Sequence, residues 1–550
     1  MKYRLPAWVA MAATTTQLLA QVSVGGTPYS LRAALPWTNV PTVHGTPFNA
    51  AAVAEEDARR EAEGLVPAYA RVLPVNAGLY DAGQWATLPN GDRLWRLRVA
   101  STGALATELF YTDFHLPANA TLHVFSEDGS TVLGGFTAFN NRTEGEFTTS
   151  LVPGEASLVE YYEPAAVAGE GNLHISGVGH AYRDVAEVTA SGACEVDVNC
   201  SEGNDWHPQR DATVRISIQE GGFMFWCTGA LVNNLAQDCK PYYLTAQHCY
   251  TGANQSELNQ WKFYFNYERS GCGSGSSPSN HTMVGCFKRG ASNDNGGDSG
   301  SDFLLVEGTT AAIPGSYNPY WAGWDASGTG GNNGVGIHHP AGDRKKISSY
   351  TTPLASSTWG GVSGTHWRVK WAATANGHGV TEQGSSGSPL FNAAKRIIGT
   401  LTGGTSSCSN VNGFDYYGKI SYHWQSNPGP SSMRLKNFLD PAATGTLSMD
   451  GSYDPCGMYV GIAGTDAPVG HLQVWPNPTT DAVVVSFPGQ TREGLLEVHD
   501  MGGRMVAGHS VGLEPEFRLN TTGLQAGAYL LRWVVDGRTK ATAPLIVVQP

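Results

Sequence analysis

Hydrophobic and polar positions alternate with a period of two over many short stretches of the chain, which predicts β-strands separated by turns. In the first third, the pattern is clearest in RLWRLRVAS (93–101), TLHVFSEDG (121–129) and ASLVEYYEP (156–164). Before them, AAVAEEDARREAEG (51–64) has the composition of a helix. The pattern therefore predicts a mostly β protein with one helix near its start.

The C-terminal region (471–550) shows the same alternation in closely spaced units. Its strand-like runs are VVVSF (483–487), LLEVHD (495–500) and AYLLRWVV (528–535), separated by the turn residues of MGGR and TTGLQAG. Several short strands with turn signals between them predict a small β-sandwich.

Composition narrows the class of protein. The chain has 550 residues, enough for several domains, and its 68 glycines and 15% charged residues are typical of a turn-rich, secreted β protein. The net charge is −13 without a block of Lys and Arg, which excludes the usual signature of nucleic-acid or anionic-membrane binding. No run of about 18 apolar residues occurs, so the sequence predicts no membrane-spanning helix.

The first twenty residues have the features of an export signal. Lys2 and Arg4 precede an uncharged stretch that ends at Ala20. An ordinary N-terminal helix is disfavoured, because no polar positions alternate through the stretch as they do on a surface helix. We expect export, with cleavage near Ala20.

The cysteines fit an exported chain. Eight of the nine lie between Cys194 and Cys408, and Cys456 follows. Clustering of this kind predicts disulfides within one domain. No C-x-x-C pair is present, which disfavours a zinc site, and the odd number leaves at least one thiol unpaired.

Three short motifs carry the candidate chemistry: YYLTAQHCY around His248, SDFLLVE with Asp302, and QGSSGSP with Ser386. Taken singly, the His, Asp and Ser of these motifs are most simply surface or turn residues. Together they supply the base, the orienting carboxylate and the nucleophile that amide hydrolysis requires. Their order along the chain is that of the chymotrypsin class.

The glycine two places before Ser386 allows the backbone to turn its N–H inward. We therefore expect the amides of Gly384 and Ser386 to form an oxyanion hole. A surface adhesin on the same fold that has lost turnover is the alternative from another functional class.

Further segments of the central region resemble a bacterial lysyl endopeptidase of the trypsin-like serine protease superfamily. The resemblance implies a chymotrypsin-like double β-barrel of six strands each, with His248 as general base, Asp302 as its orienting partner and Ser386 as nucleophile. It also implies a substrate protein or peptide cleaved after Lys through an acyl-enzyme, without a cofactor. The segments that carry it, besides the three motifs, are CTGALVNN (227–234), WAGW (321–324), GIHHP (336–340) and RLKNFLDPAATGT (434–446).

The C-terminal motifs VWPNPTTD (474–481), VHDMGGRMV and LNTTGLQAGAYLLRW resemble the sorting domain of the type IX secretion system of Gram-negative bacteria. This resemblance implies the secretion machinery as a partner. It also implies export across the outer membrane to a secreted or surface-attached location. Without it, the region is a β-module that could bind carbohydrate or the cell surface.

The endopeptidase resemblance also implies three disulfides, and the remaining cysteines suggest a fourth pair with Cys456 left alone. The three implied pairs are Cys194–Cys408, Cys200–Cys272 and Cys227–Cys249, and the suggested fourth pair is Cys239–Cys286.

Specificity follows from charge, because a cationic side chain in a buried pocket needs a carboxylate. Trypsin-like enzymes carry an Asp six residues before the serine, where this chain has Val380. In lysyl endopeptidases the Asp follows a Cys instead, and Asp415 occupies that place. Trp359 and Thr402 are also expected at the substrate site, although known members carry His at the position of Thr402, so efficiency or pH range is expected to differ.

Maturation raises a conflict. No Lys occurs between Lys2 and Lys240, so a Lys-specific enzyme has no site at which to release its own pro-segment. Either another protease cleaves, near Arg183, or the pocket also accepts Arg. We expect a monomer with these divisions: signal 1–20, β-rich pro-domain 21–190, catalytic domain 191–455, linker 456–470 and sorting domain 471–550.

The sequence contains two candidate metal sites. His338 and His339 are adjacent on a predicted strand and would point to opposite faces, so a shared metal is disfavoured. The Asn, Asp and Gly residues of 291–302 leave a structural calcium open. We expect no metal in the reaction itself.

Overall fold

The computed structural model describes most of the chain. The predicted signal, the predicted cleavage region at 184–190 and most of the linker lie outside the described residues. Those residues are 23, 25–63, 65–183, 191–278, 281–310, 312–427, 429–430, 433–457, 470–487, 494–500, 505–514, 516–535 and 538–548.

The protein is mostly β, with 41% strand and 12% helix, as the alternating pattern predicts. The N-terminal segment (25–183) contains α1 Tyr29–Arg32, β1 Thr42–His44, α2 Ala50–Ala62, β2 Ala68–Gly78, β3 Gln84–Thr87, β4 Arg93–Ala100, β5 Ala106–His115, β6 Thr121–Phe125, β7 Val132–Phe136, β8 Phe147–Thr148, β9 Val152–Pro153, β10 Ala156–Glu163 and β11 Asn172–Ala181.

The central segment (191–457) follows. It contains α3 His207–Ala212, β12 Thr213–Glu220, β13 Phe223–Val232, β14 Tyr242–Thr245, α4 Gln255–Leu258, β15 Lys262–Tyr264, β16 Thr282–Val284, β17 Cys286–Ala291, β18 Leu304–Gly308, β19 Trp324–Asp325, β20 Gly334–His338, β21 Lys346–Tyr350, β22 Ala355–Ser357, β23 His366–Val369, β24 Pro389–Asn392, β25 Ile397–Gly404, β26 Asp415–Lys419, α5 Ile420–Gln425, α6 Lys436–Leu439 and β27 Ser448–Met449.

In the N-terminal segment, the predicted strands and helix are confirmed. One sheet has the order β1-β4-β10-β6-β7, with β3 beside β4, and the other contains β2-β11-β5-β8. Alternate residues of β4, namely Trp95, Leu97 and Val99, lie in one buried core. The side chain of Asn49 accepts a hydrogen bond from Ala52 N and caps the start of α2.

Two sheets of the central segment pack on a shared core that includes Leu244 and Leu305 from the first sheet and Ile337 and Phe391 from the second. The first has the order β16-β15-β12-β13-β14-β18-β17, and the second β21-β20-β24-β25-β26-β23-β22. The mostly β class is confirmed, but strand pairing among the described residues closes neither sheet into the expected barrel.

The N-terminal and central segments share a sheet, because β2 pairs antiparallel with β13. Across this junction, the ring of Tyr69 stacks on Trp226 with centroids 4.1 Å apart, and its hydroxyl lies 2.8 Å from Ser217 Oγ. Lys262 Nζ lies 3.1 Å from Glu108 Oε2, and both side chains are fully buried. Burial raises the pKa of Glu108 and lowers the pKa of Lys262, so each depends on the other to stay charged.

The C-terminal unit forms the predicted sandwich. Its strands are β28 Gly470–His471, β29 Gln473–Trp475, β30 Ala482–Ser486, β31 Gly494–Asp500, β32 Met505–Val511, β33 Glu516–Asn520, β34 Gly527–Val535 and β35 Arg538–Val547. They form two sheets, of orders β28-β35-β34-β31-β32 and β29-β30-β33, which enclose one hydrophobic core.

Among the helices that the structure describes, none has the length and apolar character needed to cross a membrane.

Four disulfides join cysteines of the central segment. Three are the pairs that the family resemblance implies: Cys194–Cys408, Cys200–Cys272 and Cys227–Cys249. The suggested Cys239–Cys286 pair is wrong. The structure joins Cys239 to Cys456, with Cα atoms 5.5 Å apart, and leaves Cys286 as a buried free thiol. An isolated antiparallel β-bridge between Trp321 and Ser452 holds the segment that leads to Cys456 on the central segment. The sequence pattern did not reveal this bridge.

We predict that Glu108→Gln lowers the free energy of unfolding of the precursor by about 3 kcal/mol or more, because Lys262 is left buried without a counter-charge. The double replacement Glu108→Leu with Lys262→Met should cost less than the single one, since it removes both charges. Urea unfolding followed by Trp fluorescence measures both. As a control, Glu127→Gln breaks an exposed pair with Arg98 and should cost less than about 1 kcal/mol. Equal losses for Glu108→Gln and Glu127→Gln would contradict the prediction.

A peptide map of the unreduced protein should contain the Cys239 peptide linked to the Cys456 peptide. Iodoacetamide should modify Cys286 only after unfolding, because its thiol is buried in the folded protein. Modification of Cys456 in the unreduced, unfolded protein would contradict the structure. Mass spectrometry with and without reduction distinguishes these outcomes.

Candidate active site

His248 and Asp302 meet at one edge of the first central sheet. β14 ends at Thr245, and the short 3-10 turn Gln247–Cys249 carries the imidazole off the strand. His248 Nδ1 lies 2.6 Å from Asp302 Oδ2, and the His248 backbone N–H donates to Asp302 Oδ1 at 2.9 Å. Asp302 precedes β18 in a left-handed conformation, with φ +60°, and is fully buried.

The electrostatics of this pair favour a charged carboxylate. Burial opposes the imidazolium form of His248, but the charge of Asp302 and the hydrogen bond to it outweigh burial and raise the pKa of His248. Burial likewise opposes ionisation of Asp302, yet the interactions with His248 lower the pKa of Asp302 overall. The pair is therefore suited to accept a proton on His248 Nε2 and to stabilise the resulting cation.

Further hydrogen bonds orient Asp302. Its backbone N–H donates to Asp294 Oδ2 at 2.8 Å, and the Thr402 side chain is hydrogen-bonded to its carboxylate. Asp294 also accepts hydrogen bonds from Ser292 Oγ and from the N–H of Gly297. The sequence motifs gave no indication of the role of Asp294.

Ser386 lies in the turn before β24, in the second sheet. Thr228 N–H donates to the Ser386 carbonyl at 2.8 Å. The next residue, Gly387, is so close to Thr245 and the N–H of Ala246 that a Cβ there would overlap them. The turn that carries Ser386 is thereby packed against the residues that lead to His248, and the disulfide Cys227–Cys249 ties the turn of His248 to β13.

The backbone before Ser386 depends on glycine. Gly384 has φ +90°, and a Cβ there would lie 2.9 Å from both His339 O and Gly342 N. In the described part of the chain, the N–H groups of Gly384 and Ser386 donate to no other group, and the Ser386 hydroxyl makes no hydrogen bond to His248. Bonds between nucleophile and base are often long in substrate-free enzymes and tighten in the complex.

Asp415 begins β26 and is a fully buried carboxylate. Its Oδ2 accepts three hydrogen bonds: from Ser406 Oγ at 2.6 Å, Trp371 Nε1 at 2.6 Å and Thr381 Oγ1 at 2.8 Å. Its Oδ1 accepts only a longer bond of 3.3 Å from Ser406 N–H. Burial raises the pKa of Asp415, an effect that these donors oppose.

Asp415 has no cationic partner among the described residues, although it is buried. Val380, at the position of the trypsin carboxylate, is buried and precedes Thr381, one of the residues bonded to Asp415. A buried carboxylate that lacks a counter-charge, and whose Oδ1 accepts only one long hydrogen bond, has the chemistry to bind a cation.

Trp359 and Thr402 occupy different environments. The indole of Trp359 is 40% exposed, and its ring centroid lies 5.6 Å from that of Tyr416, next to Asp415. The side chain of Thr402 is buried and bonded to Asp302 and to His366 Nε2, and its place at the substrate site stays a prediction. His366 was not identified from sequence, since a His within a strand is usually structural.

His338 and His339 point to different partners. His338 bonds to Ser385 Oγ at 2.8 Å through Nδ1 and to Ser348 Oγ at 3.1 Å through Nε2. His339 Nδ1 bonds to the Asp343 carbonyl at 2.9 Å. Both imidazoles are thus structural supports near the Ser386 turn.

Comparison with known families assigns two regions of the chain. The family model for the lysyl endopeptidase C-terminal domain matches residues 188–418. The model for the secretion system C-terminal sorting domain matches residues 473–548. A lysyl endopeptidase from Pseudomonas aeruginosa is 28% identical over 387 residues, which cover 64% of this chain and 79% of the relative.

Solved structures of serine proteases are more distantly similar. Protease Anisep from Arthrobacter nicotinovorans is 17% identical with a TM-score of 0.28, covering 38% of this chain and 90% of its own. The thermostable serine protease AL20 from an extremophilic microorganism is 14% identical with a TM-score of 0.29, covering 38% and 92%. A Glu endopeptidase is 16% identical with a TM-score of 0.25, covering 42% and 93%.

The assigned regions agree with the resemblances found in the motifs. A sorting domain of this kind directs a protein across the outer membrane to a secreted or surface-attached location. Residues 188–418 are accordingly similar to the C-terminal domain of lysyl endopeptidases, and the protein is a serine endopeptidase with a type IX secretion sorting domain that directs its export.

Proposed function

We propose that this serine endopeptidase cleaves proteins on the carboxyl side of Lys through an acyl-enzyme on Ser386. The observation that carries the proposal is the buried carboxylate of Asp415, which has one available oxygen and no cation of its own. The hydrogen-bonded pair of His248 and Asp302 beside the Ser386 turn supports the mechanism.

In the proposed reaction, Ser386 Oγ attacks the carbonyl carbon of the scissile peptide bond and His248 Nε2 takes the hydroxyl proton. Asp302 stabilises the imidazolium that forms. His248 then returns the proton to the leaving amine, so the C–N bond breaks and an ester to Ser386 remains. Water repeats the sequence, releasing the carboxylic acid and restoring the Ser386 hydroxyl.

The oxyanion of each tetrahedral intermediate needs preorganised donors. The backbone N–H groups of Gly384 and Ser386 are proposed for this task, because both are available and the left-handed conformation of Gly384 orients the turn. One such donor contributes about 3 kcal/mol to transition-state stabilisation in comparable sites.

The bonding of Asp415 favours Lys over Arg. Three donors occupy Oδ2, so a substrate cation finds one oxygen available rather than two. A Lys ammonium is a compact charge that a single oxygen can bind, whereas a guanidinium binds best when both oxygens accept. We therefore propose Lys as the preferred residue and Arg as a weaker substrate.

Release of the pro-segment is proposed to need another protease. The stretch 184–190 contains neither Lys nor Arg. Arg183 is held by ion pairs with Asp57 at 3.3 Å and Glu61 at 2.8 Å, and its Nε donates to the Ala68 carbonyl. A pocket that binds Arg183 would have to break these contacts, which disfavours cleavage after Arg183 in the folded precursor.

An organophosphate should modify Ser386 covalently in the wild-type enzyme. Ser386→Ala should abolish labelling, and His248→Ala should slow it by about 10⁴-fold or more, because the hydroxyl then has no base. Ser388→Ala, in the same turn, is the matched control and should label normally. Labelling at another serine, or labelling that is independent of His248, would contradict the proposed mechanism. Mass spectrometry of the modified peptide identifies the site.

Peptides that differ only in Lys, Arg or norleucine before the cleaved bond test the pocket. We expect kcat/KM to be highest for Lys, and Asp415→Asn to reduce it by about 10³-fold or more, since the ammonium loses its counter-charge. Turnover of the norleucine peptide, which has no charge, should change much less in the same variant. Equal kcat/KM for Lys and Arg peptides would contradict the preference for Lys.

A further inference from the structure

His366 is a buried imidazole that begins β23 and lies behind the carboxylate of Asp302. Its Nε2 lies 3.0 Å from Thr402 Oγ1, and its Nδ1 lies 2.7 Å from Thr365 Oγ1. The Thr402 side chain is also hydrogen-bonded to Asp302. A continuous chain of polar groups therefore runs from Thr365 through His366 and Thr402 to the carboxylate that binds His248.

The packing around this chain is close. At Gly297, with φ +96°, a Cβ would lie 3.1 Å from Trp359 Cδ1, 3.3 Å from Asp302 Cβ and 3.5 Å from His366 Cε1. At Gly403 a Cβ would lie 2.9 Å from the Trp359 ring. The indole thus packs against both the loop before Asp302 and the end of β25 that follows Thr402. A side chain in place of either glycine would disturb this packing.

The negative charge of Asp302, at one end of this chain of polar groups, sets the direction of the hydrogen bonds along it. Each hydroxyl has a single proton, and a bond donated to an anion is about twice as strong as one to a neutral acceptor. Thr402 therefore donates to Asp302 and accepts from Nε2–H of His366. Nδ1 then accepts from Thr365, whose other acceptor, the Val362 carbonyl, is more distant at 3.2 Å.

The imidazole is neutral when the enzyme is in neutral solution, because burial lowers the pKa of His366 to about 4. A neutral imidazole has one donor nitrogen and one acceptor nitrogen, which is what the chain requires. Two positive charges are thereby avoided next to each other when His248 is protonated.

We propose that His366 is a positioning residue of the active site, which holds the Thr402 hydroxyl as a donor to Asp302 and so limits the negative charge that Asp302 presents to His248. The inference rests on the proposed function, because it extends the same catalytic relay. His366 touches no reacting atom; it acts through Thr402.

Loss of the Thr402 donor should raise the pKa of His248. Without the Thr402 donor, the Asp302 carboxylate keeps more of its charge and stabilises the His248 imidazolium more strongly, so the pKa of His248 rises further. Hydrolysis needs the neutral ring, so the acid limb of kcat/KM moves to higher pH. In the wild-type enzyme, this limb should already lie above 6.5, because Asp302 raises the pKa of His248.

Other ionisable groups also face this chain. Asp294 accepts from the Asp302 N–H, Lys419 on β26 interacts with His366, and His423 on α5 faces both Asp302 and His366. Burial lowers the pKa of His423 to about 3 and raises the pKa of Asp294. These groups are unchanged in the variants below, so a difference between variants reports the altered chain.

The test compares His366→Phe, His366→Gln and Thr402→Val in the full-length protein, with His281→Phe as a matched control. His281 is a ring-stacked histidine directly before β16, where it packs on Tyr317. We expect His366→Phe and Thr402→Val to shift the acid midpoint of kcat/KM upward by roughly 0.5–1 pH unit. His366→Gln keeps an N–H donor and should restore most of the shift, and His281→Phe should match the wild type.

NMR titration of the His248 ring provides a readout without substrate. An upward shift of its pKa in Thr402→Val and His366→Phe supports the inference even if the protein has no peptidase activity, an outcome that would contradict the proposed function alone. If His366→Phe does not fold, Thr402→Val makes the same test with a side chain of equal size. An unchanged His248 pKa and an unchanged acid midpoint in a folded variant would overturn the inference.

Discussion

The burial of the Asp302 carboxylate is the constraint on which the active site depends. A negative charge away from water must be compensated by donors, and here the imidazole and N–H of His248 and the hydroxyl of Thr402 supply them. These donors come from both central sheets, so the carboxylate is stable only when the two sheets are packed together. The requirement to satisfy one charge thereby fixes the relative placement of the groups proposed for catalysis.

The same constraint is met differently elsewhere in the chain. Glu108 and Lys262 compensate each other across the shared sheet, which ties the N-terminal segment to the central one. Asp415 is compensated by neutral donors on one oxygen and has no cation among the described residues. Of these buried carboxylates, Asp415 is the one without a counter-ion among the described residues, and it is therefore suited to bind a charged substrate. The proposed specificity follows from this missing counter-charge.

Sequence patterns predicted some features well for physical reasons that can be stated. Alternation identified β4 and β34 because one face of each strand lies in a buried core. The motif around Ser386 was recognisable because the turn needs glycine at 384, where a side chain would overlap the backbone. The pairing of Cys239 could not be predicted, since it depends on where the chain near 452 returns to the central sheet.

The sequence by itself determined the mostly β class, the presence of an exported endopeptidase with a sorting domain, and the residue types of the candidate site. Only the tertiary structure decided that Thr402 contacts Asp302 and that His366 lies behind it. The physical reason is that local patterns report which face of a strand is buried, whereas a hydrogen bond between two strands depends on register and packing, which involve residues far apart along the chain.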